Sequence, residues 1–412
     1  MAGGSQNMKQ KDDLVIVSAV RTPFSKFDTA MMDVPSIDLA VMVMKEVIQR
    51  VGLKPADVDT IYYGSCMAAE YALEHNIPGR QATLLAGFPM DNISLTLDRA
   101  CCSSLATLRL GIMAIKAKEA QVFMSVGSDN MPRAPHLAPA VRRGVRLGNM
   151  QLIDYLFELG YKAKGFSPVA LDAGEVALEY GISREMQDEW GLRSQDRYAK
   201  AYEEGKFKIG EELMPVIIPQ KKGAPIEIVK DESPRKPSME ALAKLKPIYG
   251  SPTVTAGNVP PMSAGASAIL VMTREEAEKR GLTPLATVKT NVCVATVARE
   301  MATAPAIAIN KALEKTGLKL DDMKLIEINE AFAAVTLVST KILAKNDEKK
   351  WKEIKEKTNV NGGAVAIGHP VGASAGRITM TTLYELKRRG GGYGAAAICG
   401  GLGQGEAVII EV

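Results

Sequence analysis

"GLKPADVDTIYYG", residues 52–64, and "GLKLDDMKLIEIN", residues 317–329, together decide the fold. Gly52/Gly317, Leu53/Leu318, Lys54/Lys319, Asp57/Asp322 and Ile61/Ile326 match without a gap. Each stretch follows an amphipathic helical pattern and runs into an apolar strand, so a unit has been repeated. The likeness continues in kind. "TLDRAC" (96–101) and "NVNGGA" (359–364) both lead into a helix, and "VFMSVG" (122–127) and "AAAICG" (395–400) are both apolar strands ending at Gly. Two duplicated α/β halves are expected, near 13–130 and 285–412.

Within the first half, Leu14–Val20 reads as a buried strand. Ser36 is placed to cap a helix running to about Val51, with Leu39, Val43, Val47 and Ile48 on one face. Thr60–Gly64, Ile93–Leu97 and Val122–Gly127 read as strands and Leu105–Lys116 as a helix, a βαβ-type alternation that predicts a layered α/β domain. Residues 131–252 differ in texture. They hold Pro132, Pro135 and Pro139, the cluster Arg142, Arg143 and Arg146, a charged helix from Ser183 to about Glu204, and the Lys/Pro-rich "PQKKGAPIEIVKDESPRKP". Such an insertion on a rigid scaffold commonly carries binding function. "TVTAGN" (253–258) is expected to rejoin the core. The division that follows is 1–130 plus 253–284, then 131–252, then 285–412.

The chain has 412 residues, 46% hydrophobic and 24% charged, with a net charge of +4. That charge is too small and too dispersed for a nucleic-acid face and suits a small anionic ligand. Five cysteines without C-x-x-C spacing, and three distant histidines (His75, His136, His369), argue against a disulfide scaffold and against a metal site. A reducing, cytoplasmic setting fits, since the polar N-terminus carries no signal pattern and no apolar run reaches about 18 residues.

Four places hold candidate chemistry. In "DRACCSS" (98–104), Cys101 and Cys102 lie where a strand gives way to a helix. A helix N-terminus favours a thiolate and lowers its pKa; the alternative is two small buried hydrophobes. "NVNGGAVAIGHPVGASAGR" (359–377) places His369 in a glycine-dense turn ahead of a helix, a setting for a base or a donor. "AAAICGGLGQGEAVIIEV" (395–412) puts Cys399 at the end of a buried strand, either as core or beside glycines whose N–H groups can form an oxyanion hole. In "EINEAFAAV" (327–335), Asn329 and Glu330 either cap a helix or hold a water in a site.

Taken together these places resemble the thiolase family, over essentially the whole chain. "VIVSAVRTPFSKF" (15–27) is similar to the family's first strand and turn, and "IPGRQAT" (77–83) to its Asn-Pro-Ala-Arg-Gln segment. "DRACCSS" stands where the family has Asn-x-x-Cys-x-Ser-Gly, and "NEAF" (329–332), "GHPVGASAGR" (368–377) and "CGGLGQG" (399–405) follow in the family's order. The resemblance implies two βαβαβαββ halves stacked as αβαβα layers, with 131–252 as a loop domain. It further implies a homodimer, often doubled to a tetramer, in which 134–148 packs subunits and covers the acyl end.

The implied activity is ping-pong acyl transfer: cleavage of a 3-ketoacyl-CoA by CoA, or the reverse Claisen condensation. In this scheme Cys101 is the nucleophile, His369 its base and Cys399 the acid/base at the α-carbon. His369 with a water on Asn329 forms one oxyanion site, and the N–H groups of Cys101 and Gly401 the other. Val169, Tyr249, Ala256 and Phe332 are the implied substrate contacts. CoA and acyl-CoA are substrates; neither cofactor nor metal is expected, and neither nucleic acid nor membrane is a partner. Several positions depart from the family: Asp98 for Asn, Ser104 for Gly, and "VPPMSAG" with Pro260 where a serine meets the pantetheine arm. Acetoacetyl-CoA-specific members carry His-Met where this chain has Pro168-Val169, which leaves room for a larger acyl group. A strict acetoacetyl-CoA thiolase and a non-catalytic homologue acting as scaffold or partner subunit are the alternatives.

Overall fold

The computed structural model describes residues 10–162 and 164–412. Nine principal strands form two sheets. In the first, β1 (Leu14–Arg21), β2 (Thr60–Gly64), β3 (Ile93–Leu97), β4 (Val122–Asn130) and β5 (Ser263–Thr273) lie in the order β1-β5-β4-β2-β3. In the second, β6 (Ala286–Ala295), β7 (Met323–Ile328), β8 (Tyr393–Gly400) and β9 (Gln404–Glu411) lie in the order β6-β9-β8-β7. Each sheet has the same mixture: its first two neighbouring pairs are antiparallel and the next is parallel. The sheets meet at one corner, where Val15 pairs with Thr287 and Ile16 with Ala286.

Strand alternation sorts the core into layers. Val15 and Val17 of β1 pack with helix α1 (Ser36–Gln49) on the outer face of the first sheet. Ile16 faces inward, onto α2 (Ser103–Lys116) and α7 (Ser374–Arg388), which also receive Ala396 and Ile398 of β8. Ala395, Ala397 and Cys399 point the other way, into a third core built on α5 (Ala304–Thr316) and α6 (Ala333–Leu343). The layers therefore run αβαβα, as the fold class expected. Strands covered on both faces read as continuous apolar runs, and α7 is buried from Ser374 through Leu386.

The repeat that opened the sequence is a repeat in structure. Gly52 and Gly317 both take a left-handed backbone, φ +66° and +71°, which ends a helix at no Cβ cost. One-turn 3₁₀ helices follow, in which Asp57 Oδ2 accepts the Lys54 N–H and Asp322 Oδ2 the Lys319 N–H, each at 2.7 Å. The halves diverge beyond that point. Among the described residues the second has no counterpart of β3 on the far side of β7 from β8, only a bridge from Ile326 to Thr358. Asn359 stands in for the strand: its amide accepts the Ile328 N–H (2.9 Å) and donates to the Ile328 carbonyl (2.8 Å).

One local expectation is corrected. Pro35, not Ser36, is the N-cap of α1; the Ser36 hydroxyl instead donates to buried Glu70 at 2.5 Å. Residues 253–258 rejoin the core as expected, with Val254, Thr255 and Asn258 buried; they do so as a turn, and β5 begins only at Ser263, because Pro260 and Pro261 have no N–H for a ladder.

The segment between β4 and β5 carries α3 (Val169–Glu179) and α4 (Arg184–Glu203). Ser183 caps α4, accepting the Met186 N–H. Buried charges fasten this segment to both halves. Arg21 meets Glu212 and Asp231, both at 2.6 Å. Glu330 accepts from Trp190 Nε1 (2.9 Å), Ser194 Oγ (2.8 Å), Asn359 Nδ2 (2.9 Å) and the Val365 N–H (3.0 Å). Glu330 is thus neither a helix cap nor a water ligand. It is a four-way tie that fixes the insertion over the second half.

Candidate active site

β3 ends at Leu97 and α2 starts at Ser103, so five residues make the turn between them. Ala100 takes φ +49°, a left-handed conformation that costs a residue with a Cβ and persists only where neighbours enforce it. Three groups do so. Asp98 Oδ1 accepts the Ala100 N–H (2.8 Å), Ser103 Oγ accepts the Arg99 N–H (2.8 Å), and the Cys66 thiol donates to the Ala100 carbonyl (3.0 Å). The turn parts the two cysteines. Cys102 is fully buried in the core between the sheets, whereas Cys101 lines a cavity of about 410 Å³.

His369 reaches the same cavity from the other half. Gly368, at φ +110°, brings the backbone so close to Ser263 that an added Cβ would stand 2.6 Å from its Oγ, and Ser263 Oγ accepts the His369 N–H at 3.0 Å. The His369 ring lies with Nδ1 2.6 Å from Ser374 Oγ, which itself donates to the Pro370 carbonyl at 2.7 Å. The hydroxyl proton being committed, Ser374 Oγ accepts from Nδ1–H. Nε2 therefore carries the lone pair. It faces Cys101 Sγ at 3.3 Å and Asn329 Nδ2 at 3.4 Å. The Asn329 amide is oriented in turn by Arg377, whose Nη2 donates to Oδ1 at 3.4 Å.

Both partners are electrically neutral at rest. Burial, then the Arg377 charge, pushes the His369 imidazole down to about 3. Burial pushes the Cys101 thiol up to about 12, helped by Asp129 and Asp98. This runs against the thiolate that the helix dipole favours. Helix α2 starts at Ser103 with Cys102 as its cap, so Cys101 precedes the helix, and the desolvation of a buried anion outweighs the dipole.

Cys399, the last residue but one of β8, is fully buried; desolvation first, then the Cys101 charge, raises its thiol well above the ordinary value. Gly401 follows it in the hairpin to β9 and lines the cavity. Val169, Tyr249 and Phe332 also line it. Ala256 does not: it is exposed, and its carbonyl is taken by Arg235. Asn329 is fully buried and joins the site through its bond to His369 rather than as part of the wall.

Several wall residues escaped the sequence reading. Cys66, Met67, Tyr155, Phe157 and Tyr161 line the cavity beside Cys101. Behind them Asp129 is fully buried and accepts from Ser65 Oγ (2.7 Å), the Cys66 N–H (2.9 Å), the Met67 N–H (3.0 Å) and the Gly372 N–H (2.6 Å). It joins the Cys66 loop to the turn after His369, and burial brings its carboxyl up to about 7. The available signal was "SDN" closing an otherwise apolar strand.

The family model "Thiolase, N-terminal domain" matches residues 14–275, and "Thiolase, C-terminal domain" matches 282–412. The chain belongs to the thiolase family. Among curated relatives, the acetyl-CoA acetyltransferases of Syntrophomonas wolfei and Cupriavidus necator are 39% and 38% identical, each match covering 97% of this chain and 99% of the relative. Among solved structures, human mitochondrial 3-ketoacyl-CoA thiolase superposes with a TM-score of 0.89 at 34% identity, over 97% of this thiolase and 99% of the human chain. The same human enzyme in complex with CoA gives 0.88.

Proposed function

We propose that this thiolase cleaves 3-ketoacyl-CoA substrates with CoA, and runs the reverse Claisen condensation, through an acyl group carried on Cys101. The supporting observation is the neutral Nε2 of His369 facing the Cys101 thiol at 3.3 Å inside a cavity. With both groups neutral, proton transfer to His369 accompanies attack on the 3-keto carbonyl rather than preceding it. The C2–C3 bond breaks, acetyl-CoA leaves as its enolate, and Cys399 supplies the α-proton. CoA then takes the acyl group: its thiol proton goes to the Cys399 thiolate left by the first half-reaction, and Cys101 regains the proton held on His369 as it departs. His369 and a water on Asn329 serve the enolate oxygen; the N–H groups of Cys101 and Gly401 serve the tetrahedral oxyanion. CoA and acyl-CoA act as substrates, and no step needs a resident cofactor or metal.

Alongside polar groups such as Asp98, Arg99 and Gln404, the cavity wall carries the apolar and aromatic side chains Met67, Tyr155, Phe157, Tyr161, Val169 and Met301. This supports acyl groups larger than acetyl. The names of the bacterial relatives support the narrower reading, an acetyl-CoA C-acetyltransferase. Thiolysis rates over a chain-length series of 3-ketoacyl-CoAs decide between them: a maximum at acetoacetyl-CoA with sharp loss beyond it rejects the larger acyl group. Absence of thiolysis on every member, with no acyl adduct on Cys101, rejects catalysis altogether.

The same reading makes 131–252 the loop domain, between the split N-terminal half and 285–412. It makes the protein a cytoplasmic homo-oligomer. The exposed edge of β3, with Ile93 and Leu95, supports a dimer seam, and exposed Val141, Val145 and Leu147 support a tetramer contact in the loop domain.

A further inference from the structure

The Glu406 side chain is fully buried on β9, opposite Ile398 and one residue from Gly405, the register partner of Cys399. Neither of its carboxylate oxygens has a hydrogen-bond partner among the described residues. Arg99 Nε stands 3.8 Å from Oε2, and it too lacks a hydrogen-bond partner. Burial brings the Glu406 carboxyl up to about 7 against the pull of Arg99 and, after it, Arg109. An ion pair this far inside, without hydrogen bonds, is a poor source of stability, because desolvation offsets its attraction. Its location is informative.

Arg99 opens the turn that presents Cys101. Its N–H bonds Ser103 Oγ, and its carbonyl accepts the Cys102 N–H at 3.2 Å. The same carbonyl lies 3.3 Å from where a Cβ on Gly400 would stand, so the nucleophile turn rests against the residue between Cys399 and Gly401. Its guanidinium extends further into the second half, donating from Nη2 to the Val294 carbonyl at 3.5 Å. Glu406 receives it on the strand that is paired with Cys399. The two ends of the ion pair are therefore the two elements whose spacing sets the distance between the proposed nucleophile and the proposed acid.

We propose that Arg99 and Glu406 are a positioning pair, whose attraction across the two halves holds the Cys101 turn against the Cys399–Gly405 hairpin. The role rests on the thiolase reading above. An error of about 1 Å between reacting groups costs on the order of a hundredfold in rate, so a small loosening is readable.

The test uses the full chain with Glu406→Gln, which leaves Arg99 without its counter-ion, and with the double replacement Arg99→Met plus Glu406→Leu, which fills the space with apolar atoms. Thiolysis kcat and KM, Tm, and the pH dependence of Cys101 alkylation by iodoacetamide are measured for each. In Glu406→Gln, kcat is expected to fall roughly ten- to a hundredfold with KM within about twofold of wild type. The double replacement is expected to keep or regain Tm while kcat stays low and the Cys101 alkylation curve stays displaced. A double variant with wild-type kcat and alkylation curve overturns the proposal, as does an unchanged kcat in Glu406→Gln. If Glu406→Gln does not fold, the double variant decides alone. Failure of the thiolase reading would look different: wild type itself would show no thiolysis, while the alkylation curves would still report on the pair.

Discussion

Ser374 decides what His369 can do for Cys101. Its hydroxyl proton is held by the Pro370 carbonyl, so its oxygen accepts from Nδ1 of His369 and leaves the Nε2 lone pair aimed at the thiol. Ser374→Ala removes the acceptor, freeing the ring to change tautomer and rotate. A fall in kcat of about ten- to a hundredfold is expected, with KM for CoA nearly unchanged. Steady-state thiolysis measures it. An unchanged kcat would mean that burial alone orients the ring.

Cys399 is buried and its thiol stays protonated, the state required of a proton donor to an enolate. Cys399→Ala should lower thiolysis by at least about a hundredfold yet leave Cys101 open to iodoacetamide at a rate near wild type. Peptide mass spectrometry of the alkylated protein separates the two thiols. Equal loss of Cys101 labelling would show that Cys399 supports the turn rather than the proton transfer.

The raised Cys101 thiol has a direct signature. With the pKa pushed up to about 12, the labelling rate should keep climbing with pH past the ordinary thiol value of about 8.5 instead of levelling there. A plateau near 7 would show that substrate-free Cys101 is already a thiolate paired with His369.

His369 ties pH to stability, and the sign follows from its depressed pKa. The unfolded imidazole binds a proton below about 6.5, whereas the folded one stays neutral down to about 3. Over that window the unfolded state holds more protons, so the His369 contribution weakens as pH falls. Buried carboxyls with raised values, Asp129 to about 7 and Glu327 to about 8, act in the opposite sense and obscure the total. The clean comparison is wild type against His369→Asn in urea. The stability difference should move against wild type by up to about 1.4 kcal/mol per pH unit between 6.5 and 4.5; a pH-independent difference would place the imidazole in contact with water.

The duplicated halves and the four motif stretches were legible because periodicity and local residue type carry them. The Gly52/Gly317 and Asp57/Asp322 matches, for instance, map onto the same left-handed residue and the same 3₁₀ turn in each half. What could not be read locally was which partner each polar side chain finds. Glu330 looked like a cap, yet its four donors come from α4, Asn359 and Val365, none of them adjacent in sequence. The Cys101 thiol shows the same limit: the dipole is a local property, but desolvation depends on what the whole fold places around the thiol.

The edge of β3 gives the last prediction. Among the described residues β3 pairs with β2 on one side only, yet its side chains are apolar where they meet solvent: Ile93 is 69% and Leu95 48% exposed. Unprotected edges of this kind invite another strand, and folded proteins normally guard them with charge or proline. Neither guard is present within Ile93–Leu97, so the edge is expected to be covered by the same strand of a second copy, antiparallel about a two-fold axis. The strand also leads directly into the Cys101 turn, so pairing it would brace the nucleophile. Ile93→Lys with Leu95→Glu should therefore shift the protein toward monomer in sedimentation velocity and lower kcat together with it. A variant that keeps its oligomeric state would place the subunit contact elsewhere, with the exposed residues Val141–Leu147 the next surface to substitute.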